Sequence, residues 1–188
     1  MDVDLTRFGE LVRARRTSLL VERDRPVPED LVAGLCELAT WAPNHKKSWP
    51  WRFALFTGDG RARLGDAFAD DMTDREFGDE AKRAKTRTKY LRAPAVLVVG
   101  SAAHEHPTFH VENRDAVAAG IQNLLLGATA AGLASFWSTP PLADAGRVLT
   151  LAGFDPDVTM IGVLYLGWPS GAPEVPRRPP VELTVVDG

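Results

Sequence analysis

The sequence predicts a single α+β domain over 1–188, and three observations carry that prediction. Apolar runs of strand length alternate with longer amphipathic stretches along the whole chain. A length of 188 residues suits one domain with a proper core, and no composition shift, internal repeat or low-complexity tract marks a linker. Twenty-two basic against 25 acidic residues leave a formal charge of -3, which supplies no general field for nucleic acid. The start, Met1 to Arg7, is acidic and lacks the apolar run of a secretory signal, and the lone Cys36 cannot close an internal disulfide. Both features point to the cytoplasm.

The elements follow in order. Leu5, Phe8, Leu11 and Val12 recur at helical spacing behind Asp4, an acceptable N-cap, so the chain opens with an amphipathic helix that feeds Arg15 onward. Pro28 stands where a first helical residue belongs, Glu29 and Asp30 fall in the positive first turn, and Leu31, Leu35 and Leu38 mark one face before Pro43 stops that second helix. Phe53 to Phe56 reads as a short strand, Leu64, Ala67, Phe68 and Met72 as a helix, and Ala95 to Val99 as a buried strand. Ala116 to Ala134 is almost apolar enough to span a bilayer. Gln122 and Asn123 at its centre and its glycines favour a buried central helix in close contact with a neighbour instead. Ser135 to Thr139 reads as a strand, Leu142 to Leu151 as a helix ending near Gly153, and Met160 to Leu166 as a fully buried strand. The proline-rich stretch Pro169 to Pro180 forms no regular element, while Val181 to Val186 regains strand character.

Few motifs carry chemistry. Gly58-Asp59-Gly60 follows a strand and precedes a helix, but the third glycine of a dinucleotide fingerprint would fall at Arg63, so the stretch is a tight turn. No phosphate-cradling loop of the Walker type exists either. Any phosphate must be held by side chains, and Arg15-Arg16-Thr17-Ser18 offers guanidinium forks and hydroxyls for one. Taken alone, two arginines at a helix end are more often complements of its negative pole or surface charge. Ala42 to Phe53 packs His45, Lys46, Lys47, Trp49 and Trp51 around a rigid Trp-Pro-Trp corner close to Trp41, surroundings that suit a flat aromatic ligand. His104, His106 and His110 resemble a metal loop, yet no cysteine supports them, and they read as solvated residues of an exposed turn. Cys36 falls among apolar helix positions and reads as core. Asp66 to Glu80 is acidic and Lys82 to Arg92 basic, a solvated helical region with opposed charge blocks.

Taken in order, these stretches resemble the nitroreductase family. The resemblance rests on Arg15-Arg16-Thr17 after an opening helix, Ala42-Pro43, Trp49-Pro50-Trp51-Arg52-Phe53, Phe136-Trp137-Ser138-Thr139 and Ile161 to Pro169. Asn44-His45-Lys46 and the short length look most like its compact subgroup of NAD(P)H nitroreductases. The resemblance implies a three-layer α/β/α sandwich with a mixed, mostly antiparallel sheet and a C-terminal strand that reaches a partner subunit in a homodimer. It implies FMN as cofactor, NADH or NADPH as co-substrate, and a small acceptor such as a nitroaromatic or a quinone, reduced by ping-pong kinetics. No protein group is then a catalytic nucleophile, because the flavin carries the chemistry. By position, Arg15, Arg16 and Thr17 would hold the phosphate and ribityl end. Trp41 and His45 would come from the partner, and Trp137, Ser138 and Thr139 would line the ring. Arg177 or Arg178 would add a further phosphate contact. Lys47 and Trp49 stand where the family commonly has Asn and Gln, and Lys47 would place a positive charge near the cofactor. Residues 61–92 would form a lid in some relatives. A flavin-binding protein without turnover, and a same-fold enzyme of flavin destruction, dehalogenation or dehydrogenation, are the competing classes.

Overall fold

Asp4 starts the regular structure by accepting a hydrogen bond of 2.8 Å from Thr6 N, which caps helix α1 (Leu5–Ala14). The computed structural model describes residues 4–187, so Met1 to Val3 of the acidic start lie outside the described residues. Helix α2 (Glu29–Thr40) carries Glu29 and Asp30 in its first turn, with Pro28 one residue earlier than expected, at the cap. Then come β1 (Trp51–Phe56), α3 (Gly60–Asp74), α4 (Glu80–Lys89), β2 (Ala95–Ser101), α5 (Pro107–Ala130), β3 (Ala134–Ser138), α6 (Gly146–Ala152) and β4 (Thr159–Gly167). Single 3-10 turns occur at His45–Lys47 and Tyr90–Arg92.

The strands make one antiparallel sheet in the order β1-β2-β4-β3. Thr17 adds one parallel bridge to Ser135 of β3, so the parallel part of the expected mixed sheet is reduced to that contact. Alternation along the strands sends side chains to two cores. Leu97 and Val99 of β2 and Leu164 and Leu166 of β4 pack with Val32 and Leu35 of α2 and Val117, Ile121 and Leu124 of α5. Val96, Val98, Val163 and Tyr165 face the other way, toward Leu64 and Phe68 of α3, Tyr90, and Val148 and Leu149 of α6. Each such fully buried side chain contributes roughly 1.5–3 kcal/mol of transfer free energy. The result is the α/β/α sandwich, in which both faces of the sheet are covered.

Helix α5 is the central helix that the Ala116 to Ala134 stretch predicts, although it starts earlier and ends sooner. Its glycines bring it against α2: a Cβ at Gly120 would stand 2.6 Å from the carbonyl oxygen of Ala39, and one at Gly127 2.8 Å from Leu38 Cδ1. Among the described residues no helix is long and apolar enough to cross a membrane.

Several expectations need correction. Residues 61–92 are not solvated throughout. Leu64, Phe68, Ala69 and Met72 are fully buried under the sheet, and α3 and α4 are the inner and outer parts of one covering layer. The histidine stretch is only partly a turn, because Pro107 to His110 is the first turn of α5, where proline's missing N–H costs nothing. Leu142 to Ala145 precedes α6 rather than belonging to it. Val181 to Val186 carries no regular structure and pairs with no strand among the described residues of its own chain. Alternating valines favour a strand only where an edge receives them.

Candidate functional site

Two clusters of the expected site residues form, at opposite edges of the sheet. The first lies beside β3. Helix α1 ends at Arg15, and the chain runs extended alongside β3, where Thr17 bridges Ser135 and Ser18 N donates to Ser135 O at 2.8 Å. Arg15, Arg16 and Thr17 line a cavity of about 310 Å³ with Glu174, Pro176 and Arg178. The proline-rich tail therefore brings Arg178, and not Arg177, to the cluster.

The two adjacent arginines differ. Arg16 Nη1 donates to the carbonyl oxygens of Arg13 and Arg15, so half its head group closes the negative end of α1. Its Nε is buried with no partner among the described residues, as is Ser135 Oγ one bridge away. A buried donor or acceptor left unmade costs roughly 1–3 kcal/mol. Arg15 and Arg178 enter no ion pair among the described residues. Unspent donors of this kind are what an anion with several oxygens would satisfy.

Trp137 extends the cluster along β3. Its Nε1 donates to Ile161 O at 3.4 Å, and the ring lies over Gly162, where a Cβ would approach Nε1 to 2.4 Å. Glycine at 162 is what allows the indole to lie flat on β4. Ser138 Oγ donates to the neighbouring carbonyl of Thr139 at 3.2 Å, and Thr139 is exposed.

The second cluster precedes β1 at the other edge. Three strand spacings separate the edges, about 14 Å. Lys46, Lys47 and Trp49 have φ of 61°, 53° and 51°, the left-handed region that residues with a Cβ adopt at a cost of about 1–3 kcal/mol each. A polar network holds them there. Asn44 Oδ1 accepts from Trp49 N at 2.9 Å, Asn44 Nδ2 donates to Ser48 Oγ at 3.1 Å, and Ser48 Oγ donates to Asn113 Oδ1. Asn113, buried in α5, in turn donates to Ala102 O at 3.3 Å. The strained turn pushes Trp49 into solvent at 60% exposure, next to Trp41 at 75%. Both indoles line a cavity of about 310 Å³ with Glu37, Thr40, Asn44 and Lys47. Trp41 Nε1 donates to Glu37 Oε1, which fixes its ring. His45 points elsewhere: its Nδ1 meets Glu112 Oε2 at 2.6 Å, and its ring packs edge-on to Phe109 at 5.5 Å.

One chain thus does not bring Trp41, His45 and Lys47 together with Arg15, Arg16, Thr17, Arg178 and Trp137. Sequence reasoning missed Ser135 and the Asn44–Ser48–Asn113 network. Ser135 carried a weak signal, a polar residue followed by the aromatic pair Phe136-Trp137 in a strand; Asn113 carried none, since its partner lies 65 residues away. Among the described residues no group of His, Cys, Asp or Glu could hold a metal ion. Cys36 packs on the α2/α5 core half-buried, and burial pushes its thiol up to about 11.

The chain is thus an α/β/α sandwich with an antiparallel sheet and a cationic cradle beside its edge strand. The Nitroreductase-like Family Protein from Bacillus cereus superposes with a TM-score of 0.83 at 28% identity over 100% of both chains. The chain belongs to the nitroreductase family, whose model matches residues 12–168. It is 28% identical over 180 residues to the Bacillus subtilis (strain 168) protein "Putative NAD(P)H nitroreductase YfhC", covering 92% of this chain and 89% of that one. A nitroreductase with bound FMN from Bacteroides fragilis NCTC 9343 shares the fold at a TM-score of 0.73 and 21% identity, over 95% of this chain and 98% of that one.

Proposed function

We propose that this protein is an FMN-dependent oxidoreductase of the cytoplasm that works as a homodimer. The carrying observation is the cradle beside β3, where Arg15, Thr17 and Arg178 converge and Arg16 Nε and Ser135 Oγ are buried without partners. Those residues fit FMN: two free guanidinium groups suit its phosphate, the orphaned polar atoms suit a hydroxylated chain, and Trp137 offers an apolar wall. The chemistry such a cofactor supplies is acceptance of hydride from NADH or NADPH and delivery of electrons to a nitroaromatic or quinone, in alternating ping-pong half-reactions.

The protein's part is to bind, orient and exclude water. Arg15 and Arg178 anchor the phosphate, Arg16 and Thr17 fix the chain leading from it, and Ser138 and Thr139 border the ring. Trp41, His45 and Lys47 serve the site of the other subunit, a reading supported by their place at the opposite sheet edge. Lys47 there favours negative charge on the ring system. Dimerisation is further supported by apolar surface that a monomer leaves wet: Leu5 and Phe8 on α1, and Val181, Leu183 and Val186 on the tail. The tail crossing to the partner would give Val181 to Val186 the strand pairing it lacks alone.

The absorbance spectrum of the purified protein, followed by steady-state NAD(P)H oxidation with an added nitroaromatic, tests the proposal. A flavin spectrum with turnover is expected. Tight FMN binding without NAD(P)H oxidation would make it a flavin-binding protein, and no FMN binding at all would remove the assignment.

A further inference from the structure

A second cationic cavity, unrelated to the cradle beside β3, lies where the segment after Val21 meets the end of α4. It has a volume of about 390 Å³ and is lined by Arg23, Lys85, Thr88, Lys89, Leu91 and Arg92, which is within the range of small-molecule pockets. We propose that this cavity is a binding site for a small molecule bearing two adjacent phosphate groups.

The charge arrangement is the argument. Helix α4 carries cations on two faces. On one, Arg87 pairs with Asp66 at 3.0 Å and Asp70 at 2.7 Å of α3, so its charge is already spent. On the other, Lys85, Thr88 and Lys89 recur at the three- and four-residue spacing that puts them side by side. None of Arg23, Lys85, Lys89 and Arg92 has a carboxylate within ion-pair distance among the described residues. Glu22, next to Arg23, is engaged by Arg25 at 3.2 Å. Cations at a helix C-terminus complement its dipole. That explains Lys89 but not Arg23, which comes from a different segment, nor Lys85, a full turn earlier.

The floor of the cavity is pre-organised. Arg92 Nε donates to Lys89 O at 2.8 Å, and its guanidinium lies 5.2 Å from the Tyr165 ring, so the fork is held in place before any anion arrives. Thr88 adds a hydroxyl beside it. Four cations match two phosphate groups at roughly −1.5 to −2 each. Burial, and to a lesser degree the neighbouring Arg92 and Lys82, lowers Lys89 to about 8.

Inorganic pyrophosphate, titrated calorimetrically into the protein with and without FMN, tests the site, and ADP and inorganic phosphate serve as comparison arms. Saturable one-to-one pyrophosphate binding is expected, tighter than that of phosphate. It should weaken at least tenfold in the double variant Arg23→Gln, Lys85→Gln, whose positions are exposed. ADP binding as well as pyrophosphate identifies a nucleotide as the source of the diphosphate; pyrophosphate alone identifies the inorganic ion. Binding should also fall from pH 7 to pH 9 as Lys89 loses its proton. The same double variant should keep its FMN affinity, which separates this site from the cradle. Absence of saturable binding, equal binding by the variant, or loss of pyrophosphate binding on Arg15→Ala instead would overturn the proposal.

Discussion

The cradle beside β3 and the turn before β1 solve opposite problems. Residues 15–18 run extended, with backbone bonds to Ser135, and bear no strained torsion; what they leave over is hydrogen-bonding capacity, at Arg15, Arg16 Nε and Ser135 Oγ. In the Asn44–Trp49 turn, Asn44 and Ser48 spend their polar groups on the turn itself and on Asn113, and what the turn leaves over is shape: left-handed residues that present Trp49 to solvent. Relaxed backbone with unsatisfied side chains is built to be completed by a ligand. Strained backbone held by neighbouring polar groups keeps a fixed surface shape at a cost met by the rest of the fold.

Breaking the first region should have the largest effect. Losing a desolvated charged contact to phosphate costs roughly 2–5 kcal/mol, so Arg15→Ala should weaken FMN binding about 30-fold or more in a fluorescence titration. Riboflavin, which lacks the phosphate, should distinguish poorly between wild type and variant. An unchanged FMN affinity would remove Arg15 from the cradle. Truncation after Pro180 comes next: dimer dissociation, followed by light scattering, and loss of FMN should occur at the same protein concentration. If the truncated chain stays dimeric, Val181 to Val186 has no part in the interface.

Breaking the second region should act on stability before binding. Asn113→Leu removes the contacts to Ser48 Oγ and to Ala102 O and leaves half-buried Ser48 with Asn44 alone, which should cost about 1–3 kcal/mol in denaturant unfolding. The Trp49 emission spectrum should change with it, since the left-handed turn loses its tether. Lys47→Asn should do the reverse for the backbone, because Asn tolerates positive φ better than Lys, while removing a cation from the proposed ring environment. A small gain in melting temperature together with a lower flavin midpoint potential is expected; a potential that does not move would leave Lys47 a surface residue.

The smallest effect concerns Cys36. Its thiol ionises near 11, so at pH 8 iodoacetamide should react with it far more slowly than with a free thiol, and the rate should rise as pH approaches 11. Because the native state keeps that proton above the ordinary pKa, this group makes stability fall with pH between 9 and 11. Fast alkylation at pH 8 would mean that α2 opens readily.

By itself the sequence determined the alternating elements, the buried central helix, the adjacency of Arg15, Arg16 and Thr17 after the opening helix, and a family resemblance that the family match over 12–168 bears out. These are legible because periodicity, capping and adjacent side chains are local in the chain. Only the tertiary structure decided between Arg177 and Arg178, divided residues 61–92 between a buried α3 face and an exposed outer part, and put the two clusters at opposite edges of the sheet. It also built the Ser48–Asn113 contact and the cavity between Arg23 and Lys85. Each of these joins residues distant in sequence, and which of them meet depends on strand order and helix packing, quantities that no local pattern of residues encodes.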